Sequence, residues 1–190
     1  MVVNIINFLE AIGNEFEVMN RFVKGNNILD VGFADKPNTK LHGNITGLDI
    51  VTAPKPLNYS QVVVGDAQRM PSKVGTGFDT ILAGNLVEHL DNPASFLKEC
   101  ALRLKAGGIL IISTDNPYRF PCMFGNVFFK NGMCGDNGHR NFFLPRMLNR
   151  MADKAGFKLL DIKCGLGLPF PFLQEKLVYV FEKSEELKRT

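Results

Sequence analysis

The sequence predicts an α/β fold built on one sheet of mostly parallel strands, with helices packed on both faces. Two observations carry that prediction. Short apolar runs such as Ile28–Val31, Ile45–Val51 and Ile109–Ser113 are too brief for helices and stop at glycine or beside a carboxylate; near-continuous apolar strands of this kind belong to sheets covered on both sides. The chain has 190 residues, 45% of them hydrophobic, enough for one core around a sheet of about five to seven strands, so residues 1–190 read as a single domain.

Residues 1–25 hold the first helical segment. Ile5, Leu9, Ile12, Phe16, Met19 and Val23 recur at spacings of four and three, with Glu10, Glu15 and Glu17 assigned to the polar face. Few cations accompany those acids, so the helix is expected to pack on the sheet or across the pocket mouth and not on a membrane surface. Lys24-Gly25-Asn26 ends it. Ile28–Val31 is the first strand and breaks at Gly32; Ile45–Val51 is the second. Only sixteen residues separate Gly32 from Asp49, punctuated by Pro37 and Gly43, so the first crossover shrinks to a short helix over Asn38–Leu41. A proline-rich loop over 52–60 leads to a third strand, Gln61–Val64, which closes on Gly65-Asp66-Ala67.

Phe78–Ala83 is the fourth strand. Asp91-Asn92-Pro93 starts a helix whose buried side is Phe96, Leu97, Cys100, Leu102 and Leu104, and Lys105-Ala106-Gly107-Gly108 stops it and turns the chain. Ile109–Ser113 is the fifth, central strand. Residues 117–145 carry Tyr118, Phe120, Phe124, Phe128, Phe129, Phe142 and Phe143 among glycines and asparagines, a composition that suits either a lid with an apolar inner face or an added layer of core. A helix over Arg146–Ala155 and two strands, Leu159–Ile162 and Leu177–Phe181, follow, the strands joined by a loop from Gly165 to Gln174; the tail from Glu182 is charged and frayed.

Composition excludes several classes. A net charge of +3 comes from 22 basic and 19 acidic residues spread along the chain, with one modest cluster at Lys183, Lys188 and Arg189, so no nucleic-acid partner is expected. Cys100, Cys122, Cys134 and Cys164 form no CxxC pair; neither a zinc ribbon nor a disulfide framework is read, no metal is assigned, and a reducing cytoplasm is expected. No apolar run reaches the roughly 18 residues of a membrane span, so no stable membrane insertion is expected. The amino terminus carries acids without a basic n-region, unlike a signal peptide.

Ligands of open parallel sheets bind at the carboxyl ends of the strands, where Gly32 and Asp49 fall. Asp66 sits at the neighbouring strand end. Two such carboxylates suit separate parts of one ligand: Asp49 a ribose diol, and Asp66 with the Ala67 amide the edge of a base.

The ordered segments VGF, GLD, GDAQRMP, FDTILAGNLVEHL and LKAGGILIISTDNP, followed by HRNFFLPRMLNRMADKAGF, resemble the class I S-adenosylmethionine-dependent methyltransferases, and more narrowly the small-molecule members with Glu-His-Leu after the fourth strand. The resemblance implies a Rossmann-like seven-stranded sheet, mostly parallel with an antiparallel last strand, and S-adenosylmethionine as cofactor. It also implies a binding set of Asp30, Gly32, Phe33, Ala34, Asp49, Ile50, Asp66, Ala67 and Asn85. Within that set the Gly32 loop meets the methionine part, Asp49 the ribose, Asp66 and Ala67 the adenine, and Asn85 lies alongside. The glycine-rich loop departs from the family pattern, reading Gly32-Phe33-Ala34-Asp35-Lys36, which predicts an altered mouth.

Methyl transfer from a sulfonium needs mainly alignment and exclusion of water, with a base only where the acceptor must lose a proton early. His89 and His139 are the candidate catalytic histidines. His42 reads as structural or exposed, Glu88 as a hydrogen-bonding partner of the Gly32 loop or a helix cap, and Asp35 and Asp115 as solvated loop acids. The expected activity is methyl transfer to a small or lipid-like acceptor, with a homodimer as the candidate assembly. The alternative, motivated by Lys36 and the short crossover, is a non-catalytic cofactor-binding or partner-binding module that retains the fold. A nicotinamide dinucleotide fits less well, because its pyrophosphate needs later glycines at a helix start that this loop lacks.

Overall fold

The computed structural model describes residues 15–119, 138–164 and 175–184. Seven strands form one sheet: β1 (Asn27–Val31), β2 (Asn44–Asp49), β3 (Gln61–Val64), β4 (Phe78–Gly84), β5 (Leu104–Asp115), β6 (Phe157–Cys164) and β7 (Lys176–Lys183), in the order β3-β2-β1-β4-β5-β7-β6. β1 to β5 run parallel, and β7 inserts antiparallel between β5 and β6. Among the described residues three helices accompany the sheet: α1 (Glu15–Asn20), α2 (Pro93–Arg103) and α3 (Pro145–Lys154).

Strand alternation divides the core into two layers. Leu29, Val31, Leu110, Ile112, Tyr179 and Phe181 face one side, under Phe96, Leu97 and Cys100 of α2 and Leu148 and Ala152 of α3. Ile28, Ile109, Ile111, Val178 and Val180 face the other, under Val18 and Met19 of α1. α2 starts as its sequence demands: the Asn92 side chain accepts from Ser95 N at 3.1 Å, and Pro93 occupies the first turn, where its missing N–H costs nothing.

The first crossover differs from expectation. No helix forms at Asn38–Leu41; the segment is a turn. Asn38 is drawn into tertiary bonds instead: its N–H donates to the Tyr59 hydroxyl at 3.2 Å, its Nδ2 donates to Asn20 at 2.7 Å, and its carbonyl accepts from Asn58 Nδ2 at 3.1 Å. Phe33, Leu41 and Tyr59 from these loops then cover the face that a helix would otherwise protect. The helix before β1 ends at Asn20, short of Val23, and its expected portion over residues 1–14 lies outside the described residues.

The Lys105–Gly108 segment is also not a separate turn. β5 begins at Leu104 opposite Phe78, and pairing resumes at Ile109 opposite Thr80, so four residues stand against Asp79 as a bulge. Lys105 Nζ reaches Asp79 Oδ1 at 2.6 Å across it. Of the expected aromatic lid, residues 120–137 lie outside the described residues, as does the loop 165–174; Phe143 is buried in the core, while Tyr118 and Phe142 are exposed. Among the described residues no helix is long and apolar enough to cross a membrane.

Candidate active site

β1 lies between β2 and β4, the point where the strand order reverses and where such sheets open a crevice at their carboxyl ends. A cavity of about 400 Å³ occupies it, bordered by Gly32, Asp49, Asp66, Asn85 and His89, and a second of about 190 Å³ shares Gly32, Asn85 and His89 with it and adds Asp30 and Lys36. A volume of this order suits a small-molecule site.

Asp49 ends β2 with its carboxylate fixed at both oxygens: Ala34 N donates to Oδ2 at 2.9 Å and Val51 N to Oδ1 at 3.1 Å. Each oxygen retains a second lone pair, so a pair of hydroxyl donors can still be received. Ile50 is 69% exposed beside it on the cavity wall. Asp66 caps a short 3-10 turn over Ala67–Arg69, accepting from Gln68 N at 2.8 Å, which presents the first turn of backbone, with Ala67, to the cavity. Phe33 borders neither cavity; its ring is buried at 5.3 Å from that of Tyr59.

The loop pattern that departs from the family carries no backbone strain. Gly32 takes φ 78°, and among the described residues Asn85 is the one non-glycine with positive φ, so neither Ala34 nor Lys36 needs to be glycine. Lys36 leans over the Phe16 ring at 5.2 Å, with Nζ 3.8 Å from Glu15 Oε1.

Glu15 is a residue that the sequence reading misplaced. It is buried, on the same stripe as Val18 and Met19, three and four residues on, and that spacing was the available signal. Its carboxylate receives Asn85 Nδ2 at 2.6 Å and the Ser113 hydroxyl at 3.3 Å. Asn85 is thereby held with Oδ1 buried and without a hydrogen-bond partner, an acceptor suited to a ligand's ammonium. Diol, base edge and ammonium together describe the donor pattern of S-adenosylmethionine, and the residues present fit it.

Asp30 points to the helix-poor face. It is buried, receives the Tyr59 hydroxyl, and lines the smaller cavity. Burial is the main cause that pushes its carboxyl up to about 7, against the Tyr59 bond, which pulls down.

Past β4 the chain makes a 3-10 turn over Val87–His89. Glu88 is 1% exposed, and burial raises its carboxyl above the ordinary range. Neither oxygen closes a well-formed hydrogen bond; the Thr114 hydroxyl, its own backbone N–H and Lys176, with Nζ 4.0 Å from Oε1, only partly offset the burial. It therefore neither bonds the Gly32 loop nor caps a helix through its side chain. Its backbone carbonyl accepts from Arg140 N at 2.8 Å and Asn141 N at 2.9 Å, which docks residues 139–141 against the turn. The His89 and His139 rings meet edge to face, centroids 4.6 Å apart, His89 Nδ1 lying 3.2 Å from Gly138 O and His139 Nδ1 2.9 Å from Asp115 Oδ2. Asp115 is thus not a solvated acid: it also accepts from Lys176 Nζ at 2.5 Å. His42 is exposed in the first crossover, and Asp35 borders the cavities.

Comparison with known proteins accords with this geometry. The family described as "Methyltransferase domain" matches residues 9–162. A ubiquinone biosynthesis O-methyltransferase of Colwellia psychrerythraea is 27% identical over 154 residues, covering 70% of this chain; the chain in turn spans 61% of that relative's length. Among solved structures, a Burkholderia thailandensis 1,6-didemethyltoxoflavin-N1-methyltransferase with bound S-adenosylhomocysteine superposes with TM-score 0.65 at 15% identity, over 92% of this chain and 79% of its own. An S-adenosylmethionine-dependent methyltransferase of Clostridium acetobutylicum does so with TM-score 0.64 at 14% identity, over 94% and 90%. Motif order, sheet topology and family match converge: the chain belongs to the class I S-adenosylmethionine-dependent methyltransferases, whose cofactor is S-adenosylmethionine.

Proposed function

We propose that the chain methylates an oxygen of a small or lipid-like acceptor with an apolar body, binding its cofactor across the carboxyl ends of β1, β2, β3 and β4. The observation that carries the reading is Asp49, a carboxylate held at both oxygens by backbone N–H groups on the wall of the larger cavity. In this assignment Asp49 receives the ribose hydroxyls, Asp66 and Ala67 the adenine edge, and Gly32 and Asn85 the methionine end, with Asp30 and Ile50 on the walls and Phe33 and Ala34 supporting the Gly32 loop and Asp49 from behind. When bound, the cofactor supplies an electrophilic methyl carbon together with its leaving group. The chain's part is to align the acceptor and exclude water, and His89, which borders both cavities beside His139, is the group assigned to the acceptor end. Oxygen as the acceptor atom is supported by the relative named as an O-methyltransferase.

Calorimetric titration with S-adenosylhomocysteine tests the assignment. Wild type is expected to bind, and Asp49→Ala to weaken binding by about two orders of magnitude, about 3 kcal/mol, because it removes charge-assisted hydrogen bonds to two hydroxyls. Absence of heat with both the cofactor and its demethylated product overturns the reading. Mass spectrometry of reactions with phenolic and catecholic acceptors then tests the oxygen.

A further inference from the structure

We propose that Glu88, His89 and His139 form a binding site for a divalent first-row metal cation at the edge of the cavity. Each offers one ligand atom, and the three atoms lie within 4.8 Å of one another. Two imidazoles and a carboxylate are the donor set of open, catalytic-type sites for zinc and neighbouring metals. Around one such cation, ligand atoms stand about 3–4 Å apart at bonds of about 2.1 Å, so side-chain rotations on the order of an ångström close the set.

Glu88 gives the independent sign of a ligand. It is 1% exposed, and neither oxygen closes a well-formed hydrogen bond, the Thr114 hydroxyl and its own backbone N–H giving it only weak support, a condition that a bound cation would relieve. Lys176 does not fill that role: its Nζ is 4.0 Å from Oε1 and is itself bonded to Asp115 at 2.5 Å. The histidines have the support expected of ligands. His89 Nδ1 lies 3.2 Å from the Gly138 carbonyl and His139 Nδ1 2.9 Å from Asp115 Oδ2, placing each Nδ1 against an oxygen of the protein, an arrangement that suits ligation through Nε2. Asp115 is here a positioning residue.

His89 lines both cavities, so the cation borders the space assigned above to the acceptor, and what it does there rests on that reading. An open coordination position would take an acceptor hydroxyl oxygen and lower its pKa, the proton leaving to solvent. The two histidines then serve as ligands and not as bases. The acceptor class implied is one that presents a hydroxyl able to ligate, a phenol or catechol in preference to an amine.

The test uses cobalt(II) as probe on chelator-treated protein, read by visible absorption and calorimetry, with S-adenosylhomocysteine titrated separately on the same preparations. Wild type and His42→Ala are expected to bind one equivalent with the intense visible bands of nitrogen-ligated cobalt. His139→Asn and His89→Ala are expected to weaken binding by more than about a hundredfold, and Asp115→Asn by about ten- to a hundredfold. No cobalt bound by wild type at millimolar concentration, or unchanged binding in His139→Asn and His89→Ala, overturns the site. Should His89→Ala fail to fold, judged by circular dichroism, His139→Asn decides alone. S-adenosylhomocysteine binding without cobalt binding removes the metal site and keeps the functional reading; cobalt binding without S-adenosylhomocysteine binding does the reverse.

Discussion

Replacing Asp30 by asparagine should change how stability depends on pH in a defined direction. Asp30 is buried beneath Tyr59, and burial lifts its carboxyl from the ordinary 3.8 to about 7. A carboxyl raised on folding binds more protons in the folded chain than in the unfolded chain between those two values. Stability from this group is therefore fully present below the unfolded value and falls as pH rises through about 7. At 1.36 kcal/mol per pH unit, the interval from 3.8 to about 7 corresponds to about 4 kcal/mol. Asparagine keeps an acceptor for the Tyr59 hydroxyl but does not titrate, and its extra N–H donors carry a fixed cost of about 1–3 kcal/mol. Urea unfolding of wild type and Asp30→Asn from about pH 4 to about pH 8, taken as a difference, cancels the groups common to both. The difference should move toward the variant by about 4 kcal/mol across that range. A difference that stays constant within about 0.5 kcal/mol would refute the reasoning, because Asp30 would then titrate at its ordinary value.

Two other substitutions probe the frame of the site. Gly47→Ala places a Cβ 2.8 Å from the Phe33 ring and 3.0 Å from Tyr59, and should cost about 1–3 kcal/mol in denaturant unfolding. Because Phe33 adjoins Ala34, whose N–H holds Asp49, cofactor affinity should fall with it; unchanged stability and affinity would count against that linkage. Asp79, which the Lys105 hydrogen bond and then the Asn27 and Asn26 N–H groups hold down at about 2, stabilises the fold above the ordinary 3.8 and loses that contribution as pH falls toward 2. Asp79→Asn should therefore flatten acid unfolding over that interval, measured by circular dichroism, and an unaltered acid limb would contradict it.

The sequence made the parallel strands legible because each was apolar on both faces and ended at a glycine or a carboxylate. The strand-end carboxylates Asp49 and Asp66 were legible for the same reason: position along a strand fixes the sheet edge on which a residue falls. Pairing between distant segments was not legible. Glu15 meets Asn85 across seventy positions, Asp30 meets Tyr59 across the missing helix, and His139 comes to Glu88 and His89 only because backbone bonds dock residues 140 and 141 on the turn after β4. Local periodicity contains no term for such partners. The crossover at Asn38–Leu41 failed as a helix for a related reason, since Asn38 found tertiary hydrogen bonds that outcompeted a turn of intrahelical ones.

The reversed direction of β7 also sorts the chain's two ways out of the sheet. Lys176, at its start, pairs with Asp115 at the cavity end of β5, whereas Glu182 pairs with Ile109 at the far end. The start of β7 thus belongs to the rim of the active site. The end of β7 does not, and Ser184 N is tied to Gly156 O at the opposite end of the strands. A bulky group attached at Ser184 would therefore sit at the end of the sheet away from the cavity, whereas one attached at Glu175 would stand at the cavity end.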